Sequence, residues 1–151
     1  MTQIILVQTN SDLSIIQPIE KSVNDLIQDL PPNTVYCVID SDIMPECRCF
    51  RNAWVLENNT ITINITIAKS IYLDFWRLVR KPLLIELDAQ WFLASESNDT
   101  AALMDIASKK QTLREVTLTD LSLVTNNMEL IAVWPECLGT NPCTCPCCNP
   151  S

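Results

Sequence analysis

A chain of 151 residues is long enough for one domain with a real core, because folding at this size buries roughly 70% of the extended surface. Hydrophobic residues make up 48% and charged residues 19% of it, too apolar a mix for disorder, yet no unbroken apolar run reaches the roughly 18 residues that a bilayer span needs. Ten Lys and Arg against eighteen Asp and Glu give a net charge of −8, so a soluble acidic domain is expected, with no nucleic acid and no membrane as partner.

The first residues, Met1-Thr2-Gln3-Ile4-Ile5-Leu6-Val7, carry no basic leader, and their apolar stretch is far shorter than a secretory core segment, which predicts synthesis in a cytosol. Residues 2–8 and 13–17 are rich in Ile, Leu and Val around Thr9-Asn10-Ser11-Asp12, a turn-forming set, and predict an opening β-hairpin. Over 19–30 the apolar residues Ile19, Val23, Leu26, Ile27 and Leu30 keep helical spacing until Pro31-Pro32, predicting a short amphipathic helix. Residues 34–39, β-branched and aromatic, predict a strand closed by Asp40-Ser41-Asp42 and Pro45.

Trp54-Val55-Leu56 and Ile61-Thr62-Ile63-Asn64 flank Glu57-Asn58-Asn59-Thr60, which predicts a second hairpin on an Asn-centred turn. Strand signals then cease. Ile67, Ile71, Phe75, Leu78 and Val79 step along a helical face, and Ile85, Ala89, Phe92 and Leu93 resume it past Pro82, predicting a long helix kinked or interrupted at that proline. Residues 95–100 offer N-caps for a second, antiparallel helix carrying Leu103, Ile106, Ala107, Lys110 and Leu113. Residues 117–125 are ambiguous; Asn126 or Asn127 caps a last short helix through Met128, Ile131 and Val133, ended by Pro135.

The expected fold class is therefore α+β: N-terminal β-hairpins with a short helix, then a C-terminal helical hairpin and a Cys-rich irregular tail. The boundaries are 1–64 for the strand-rich segment, 65–135 for the helical segment of the same domain, and 136–151 for the tail. The chain has no histidine, the commonest general base and metal ligand, and its one glycine, Gly139, excludes a glycine-rich phosphate loop. No enzyme activity, no cofactor and no catalytic residue is expected.

Several segments carry a resemblance: Val38-Ile39-Asp40, Pro45, Phe50-Arg51-Asn52-Ala53-Trp54, Ala68-Lys69, Asp74, Arg77 and Arg80, Pro82-Leu83-Leu84, Leu87-Asp88, residues 110–117 (Lys-Gln-Thr-Leu-Arg-Glu-Val-Thr) and Trp134-Pro135. Their order and spacing over residues 34–135 resemble small proteins encoded among the tail and tail-fibre genes of tailed bacteriophages. Such chains open with strands, carry Phe-Arg-x-Ala-Trp, and end in a helical hairpin with a Lys-Gln-x-Leu-Arg-Asp-like segment. Here Glu115 stands at the Asp position, while Cys47-Arg48-Cys49 and everything after Glu136 look like additions. The resemblance implies a virion tail component, assembled in the host cytoplasm, or a tail-fibre assembly factor; it carries over no catalytic residue. Its implied partners are other phage tail proteins, of the fibre or the baseplate. Tail symmetry also favours a homo-oligomer, as do helical stripes with more apolar residues than one small domain needs.

Eight cysteines are present. Cys37, in a predicted strand, reads as a small buried hydrophobe. Cys47 and Cys49 precede the Phe-Arg-x-Ala-Trp motif, and Cys137, Cys143, Cys145, Cys147 and Cys148 crowd a proline-interrupted tail that has too few core-forming residues for helix or sheet of its own. Order in that tail has to come from cross-links or partners. A thiolate metal cluster competes with disulfides, although only Cys145 to Cys148 has Cys-x-x-Cys spacing, and a disordered tail with free thiols is the third alternative. For a virion, which persists in an oxidising medium, disulfides are the preferred reading. No metal ligand is assigned, and the disulfide candidates are Cys47, Cys49, Cys137, Cys143, Cys145, Cys147 and Cys148.

Other features have plain readings. Arg77, Arg80 and Lys81 read as a solvated helix face, and Asp40 with Asp42 as turn formers. Trp54, Trp76, Trp91 and Trp134 read as packing anchors. The sequons at Asn58, Asn64 and Asn98 read as chance products of an Asn-rich and Thr-rich chain.

Overall fold

The computed structural model of the protein describes residues 2–10 and 12–145. The fold is α+β, strands first and helices after, and it divides into two compact units, Met1–Ala68 and Lys69–Ser151.

In the first unit, strand β1 (Gln3–Gln8) pairs antiparallel with β2 (Leu13–Ile16), and β3 (Val35–Asp40) joins its other edge, giving the order β2-β1-β3. Leu6 faces Ile15 on one side and Cys37 on the other. As the central strand, β1 has both faces covered, and the successive residues Ile4, Ile5, Leu6 and Val7 are all buried. Its sequence accordingly reads as an unbroken apolar run instead of an alternation. Helix α1 (Val23–Gln28) is shorter than the predicted 19–30. Ser22 is held extended and its hydroxyl accepts the Asp25 amide at 3.2 Å, so the helix starts after it and leaves Ile19 outside, exposed.

The second hairpin, β4 (Trp54–Glu57) and β5 (Thr60–Ile63), turns on Asn58 and Asn59 at φ of 49° and 60°. Two consecutive positive φ values match the type I′ turn whose twist suits a tight hairpin, and asparagine is the non-glycine residue that tolerates them best. The Leu56 amide donates to Gln8 Oε1 at 3.1 Å, tying β4 to β1. Ile4, Leu6, Leu13, Cys37, Ile39 and Trp54 form one buried cluster, with Ile15, Met44, Leu56, Ile61 and Ile63 packed against it. Each large side chain so buried contributes about 1.5–3 kcal/mol.

Helix α2 (Ile65–Glu96) starts at Asn64, whose Oδ1 accepts the amides of Thr66 and Ile67 at 3.1 and 3.2 Å. The long helix is present, and of the two outcomes expected at Pro82 the interruption does not occur, since the helix runs through it. The proline costs the bond to the Leu78 carbonyl, one bond in a helix of 32 residues, and the rest of the ladder carries the helix through. Past Glu96, Asn98 takes φ 55°, its amide donates to the Ser95 carbonyl, and the Asp99 amide donates to the Ala94 carbonyl at 2.9 Å. That is a Schellman ending with asparagine in glycine's usual place. Asp99 then caps α3 (Thr100–Glu115) by accepting the Ala102 amide at 3.0 Å.

A 3-10 turn (Val116–Leu118) opens the ambiguous stretch, which continues without helix or strand until Asn126 caps α4 (Asn127–Ala132). The core of this second unit includes Tyr72, Trp76, Leu87, Ile106, Leu113, Val116, Leu121, Leu130, Ile131 and Leu138. The Tyr72 ring lies 5.2 Å from Trp76 and 6.3 Å from Trp134, and its hydroxyl donates to the Ile131 carbonyl at 3.2 Å. The three sequon asparagines thus all have local duties: Asn58 makes a turn, Asn64 caps α2 and Asn98 ends it.

Candidate functional site

The cysteines were the sequence's most unusual chemistry, and the structure gives each described one a distinct setting. Cys37 is buried in β3, as expected of a small hydrophobe, with its sulfur 3.7 Å from the Val38 carbonyl oxygen and 4.0 Å from that of Asn59. Cys47 and Cys49 lie half-buried in one loop of the first unit, between the 3-10 turns Ser41–Ile43 and Arg51–Ala53. The second unit holds Cys137, Cys143 and Cys145, all half-buried, and the Cys143 amide donates to Asn141 Oδ1 at 3.0 Å. Cys147 and Cys148 lie outside the described residues, as does Ser11 of the first turn.

The start of the tail is ordered by the second unit itself. A 3-10 turn, Glu136–Leu138, buries Leu138 to 3% exposure, and the Trp134 indole N–H donates to the Gly139 carbonyl at 2.7 Å. Gly139 sits at φ 72° and ψ −149°, a region open essentially to glycine alone. The signal for this anchor was present in the sequence as a lone leucine and a lone glycine in an otherwise polar, proline-rich segment.

Cys137 lines a concave groove of about 390 Å³ with Leu83, Leu87 and Leu113 and the more polar Glu86, Gln90, Lys109 and Thr112. Burial there pushes its thiol above the ordinary cysteine range. A thiol that resists ionising exchanges slowly, since the thiolate is the attacking species. Its electrostatic setting therefore disfavours bond formation at Cys137.

Helices α2 and α3 are held antiparallel by polar contacts that the sequence did not reveal. Lys110 bridges to Asp88 at 2.5 Å and sits 5.7 Å over the Trp91 ring. Of the three basic residues expected on a solvated face, Arg80 departs from that expectation. Its Nη1 donates to the carbonyls of Leu113 and Arg114 at 3.2 and 2.9 Å and to Thr117 Oγ1 at 3.4 Å. A guanidinium at the end of α3 satisfies carbonyls that have no helical donor and meets the negative end of the helix dipole. Arg77 stays exposed and bridges to Asp74 at 2.5 Å.

The Phe-Arg-x-Ala-Trp segment is core: Phe50, Ala53 and Trp54 are buried, and the Ala53 carbonyl accepts the Asn64 amide at 2.8 Å. The indole N–H groups of Trp54 and Trp76 are buried with no hydrogen-bond partner among the described residues. Asp40 ends β3 and Asp42 accepts the Ser41 hydroxyl at 3.2 Å, which suits turn formers. Among the described residues, no helix is long and apolar enough to cross a membrane. Compared with known proteins, the chain matches no family model, no curated protein and no solved structure.

Proposed function

We propose that the chain is a non-catalytic structural component of a bacteriophage tail, fibre-associated or baseplate-associated, held to itself or to a neighbour by disulfides from its cysteine-rich tail. What supports this reading is the use to which the resembling residues are put. Phe50, Ala53, Trp54, Leu87, Leu113 and Val116 are buried, Asp88 pairs with Lys110, and Arg80 closes the end of α3. A recurring pattern that specifies packing, pairing and capping is the signature of a scaffold, and it fits a module whose product is an assembly.

The cysteines then supply what the scaffold lacks. Cys47 and Cys49 in their loop, and Cys143, Cys145, Cys147 and Cys148 beyond Gly139, are the attachment residues, whereas burial in its groove disfavours Cys137. The test uses purified particles. Mass spectrometry is expected to recover the chain in stoichiometric amount, and non-reducing gels to show a high-mass band that collapses with reductant. A chain found during assembly but missing from finished particles would instead be a fibre-assembly chaperone, and the structural reading would be lost.

A further inference from the structure

Helix α2 is apolar on two opposite faces. One face, through Trp76, Leu87 and Ala94, is buried. On the other, Leu78, Ile85 and Phe92 are 67%, 61% and 70% exposed, spaced seven residues apart, with Pro82 and Ala89 exposed between them and Leu93 alongside at 68%. Phe75, one step before Leu78, is half-buried against Tyr72 and Trp134. The order Phe75, Leu78, Pro82, Ile85, Ala89, Phe92 alternates steps of three and four, which is the seam of a two-stranded coiled coil, with Phe75, Pro82 and Ala89 at a and Leu78, Ile85 and Phe92 at d. A helix apolar all round is normally buried all round. Scattered apolar residues on a surface need no explanation, but a contiguous row in this register does.

The flanking charges identify the occupant. In the same register Asp74, Lys81 and Asp88 fall at g, and Val79, Glu86 and Leu93 at e. In a parallel pair of identical helices each g residue faces the e residue of the next heptad of the partner, so Lys81 meets Glu86 of the other copy, twice by symmetry, with no like-charge pair along the seam. The two remaining g residues, Asp74 and Asp88, are already neutralised within their own chain by Arg77 and Lys110. An antiparallel pair would set g against g, where Lys81 meets itself or competes with Arg77 and Lys110 for those carboxylates. Because α2 is already folded and braced by α3, a seam of about two heptads does not carry the nucleation cost that an isolated pair of helices faces.

We propose that the exposed face of α2 is a homodimer interface, a parallel, in-register coiled-coil seam through Leu78, Ile85 and Phe92, keyed by Lys81 against Glu86 of a second copy. This association is non-covalent and independent of the cysteines, so it is tested on the full chain under strong reductant, where failure leaves the disulfide reading untouched. Sedimentation velocity over a wide concentration range is expected to show a reversible dimer. Ile85→Glu with Phe92→Glu, both at exposed sites and so expected to keep the helical circular dichroism, should raise its dissociation constant roughly tenfold or more. Lys81→Glu and Glu86→Lys should each weaken the dimer several-fold, and the two together should restore it. A monomer at every concentration overturns the second copy as occupant. A dimer indifferent to Ile85→Glu with Phe92→Glu overturns the seam, and failure of the double exchange to restore binding overturns the parallel register.

Discussion

The two units treat their apolar residues differently. In Met1–Ala68 the large side chains of β1 to β5 converge on one cluster around Trp54, and the exposed apolar residues, among them Ile19, Val35 and Ile43, come from separate elements. In Lys69–Ser151 the residues around Trp76 and Leu87 form a comparable core, yet α2 also carries Leu78, Ile85, Phe92 and Leu93 in a continuous exposed row. A β-strand offers each residue only two faces, and a central strand such as β1 covers both within its own unit. A long helix has a full circumference, and a hairpin of two helices covers only part of it. The first unit reads as self-sufficient and the second as built for company.

The largest test of that contrast is Trp54→Ala. Removing a side chain at 1% exposure from the centre of the first unit should cost about 3–5 kcal/mol, read as a shift in the urea midpoint under reductant. The contrast breaks if Ile85→Glu, measured at concentrations where the chain is monomeric, costs as much; its exposed position predicts a change within about 0.5 kcal/mol. Next in size is Arg80→Ala, which strips the last carbonyls of α3 of their donor and should cost about 2 kcal/mol. Arg80→Lys should recover only part of it, because one ammonium cannot reproduce the span of a guanidinium.

Gly139→Ala should cost about 1 kcal/mol through backbone strain, since an added methyl group meets nothing within 4 Å and only the φ of 72° opposes it. Its clearest readout is faster proteolysis just after Leu138, where the tail leaves its anchor. The smallest effect is titrational. Hydrogen bonds from the Thr125 amide and hydroxyl, at 2.8 and 3.0 Å, hold the Glu129 carboxyl below its usual range. Its folded pKa lies under the unfolded one, so its contribution is complete above the ordinary glutamate range and is lost as pH falls through the depressed value. Glu129→Gln should therefore flatten the acid limb of the stability profile slightly, read from thermal midpoints across that range.

Much of this was legible in the chain itself. The apolar run of β1, the Asn58-Asn59 turn, a cap within 95–100, the Asn126 cap and the helical spacing of α2 all follow from spacing and from what individual side chains do to their own backbone, which is local physics. Apolar spacing beginning at Ile19 predicts a longer α1, while the Ser22 cap, a stronger local constraint, sets the start at Val23. Pro82 predicts a kink or an interruption because its ring removes a bond, but one lost bond does not end a 32-residue helix whose Trp76, Leu87 and Ala94 are packed into the core. Arg80 reads as an ordinary surface charge and nothing nearby marks Lys110 as paired, since their partners, the Leu113 and Arg114 carbonyls and Asp88, lie more than twenty residues away along the chain and become neighbours only when α2 and α3 close against each other. The same holds for Cys137, whose sulfur is chemically ordinary in the sequence and is quietened only by the groove that Leu83, Leu87 and Leu113 place around it. Side-chain chemistry and local backbone preference were written in the sequence; burial, which decides whether a charge caps a helix or faces water and whether a thiol ionises, belongs to the tertiary structure, because it depends on atoms brought together from distant parts of the chain.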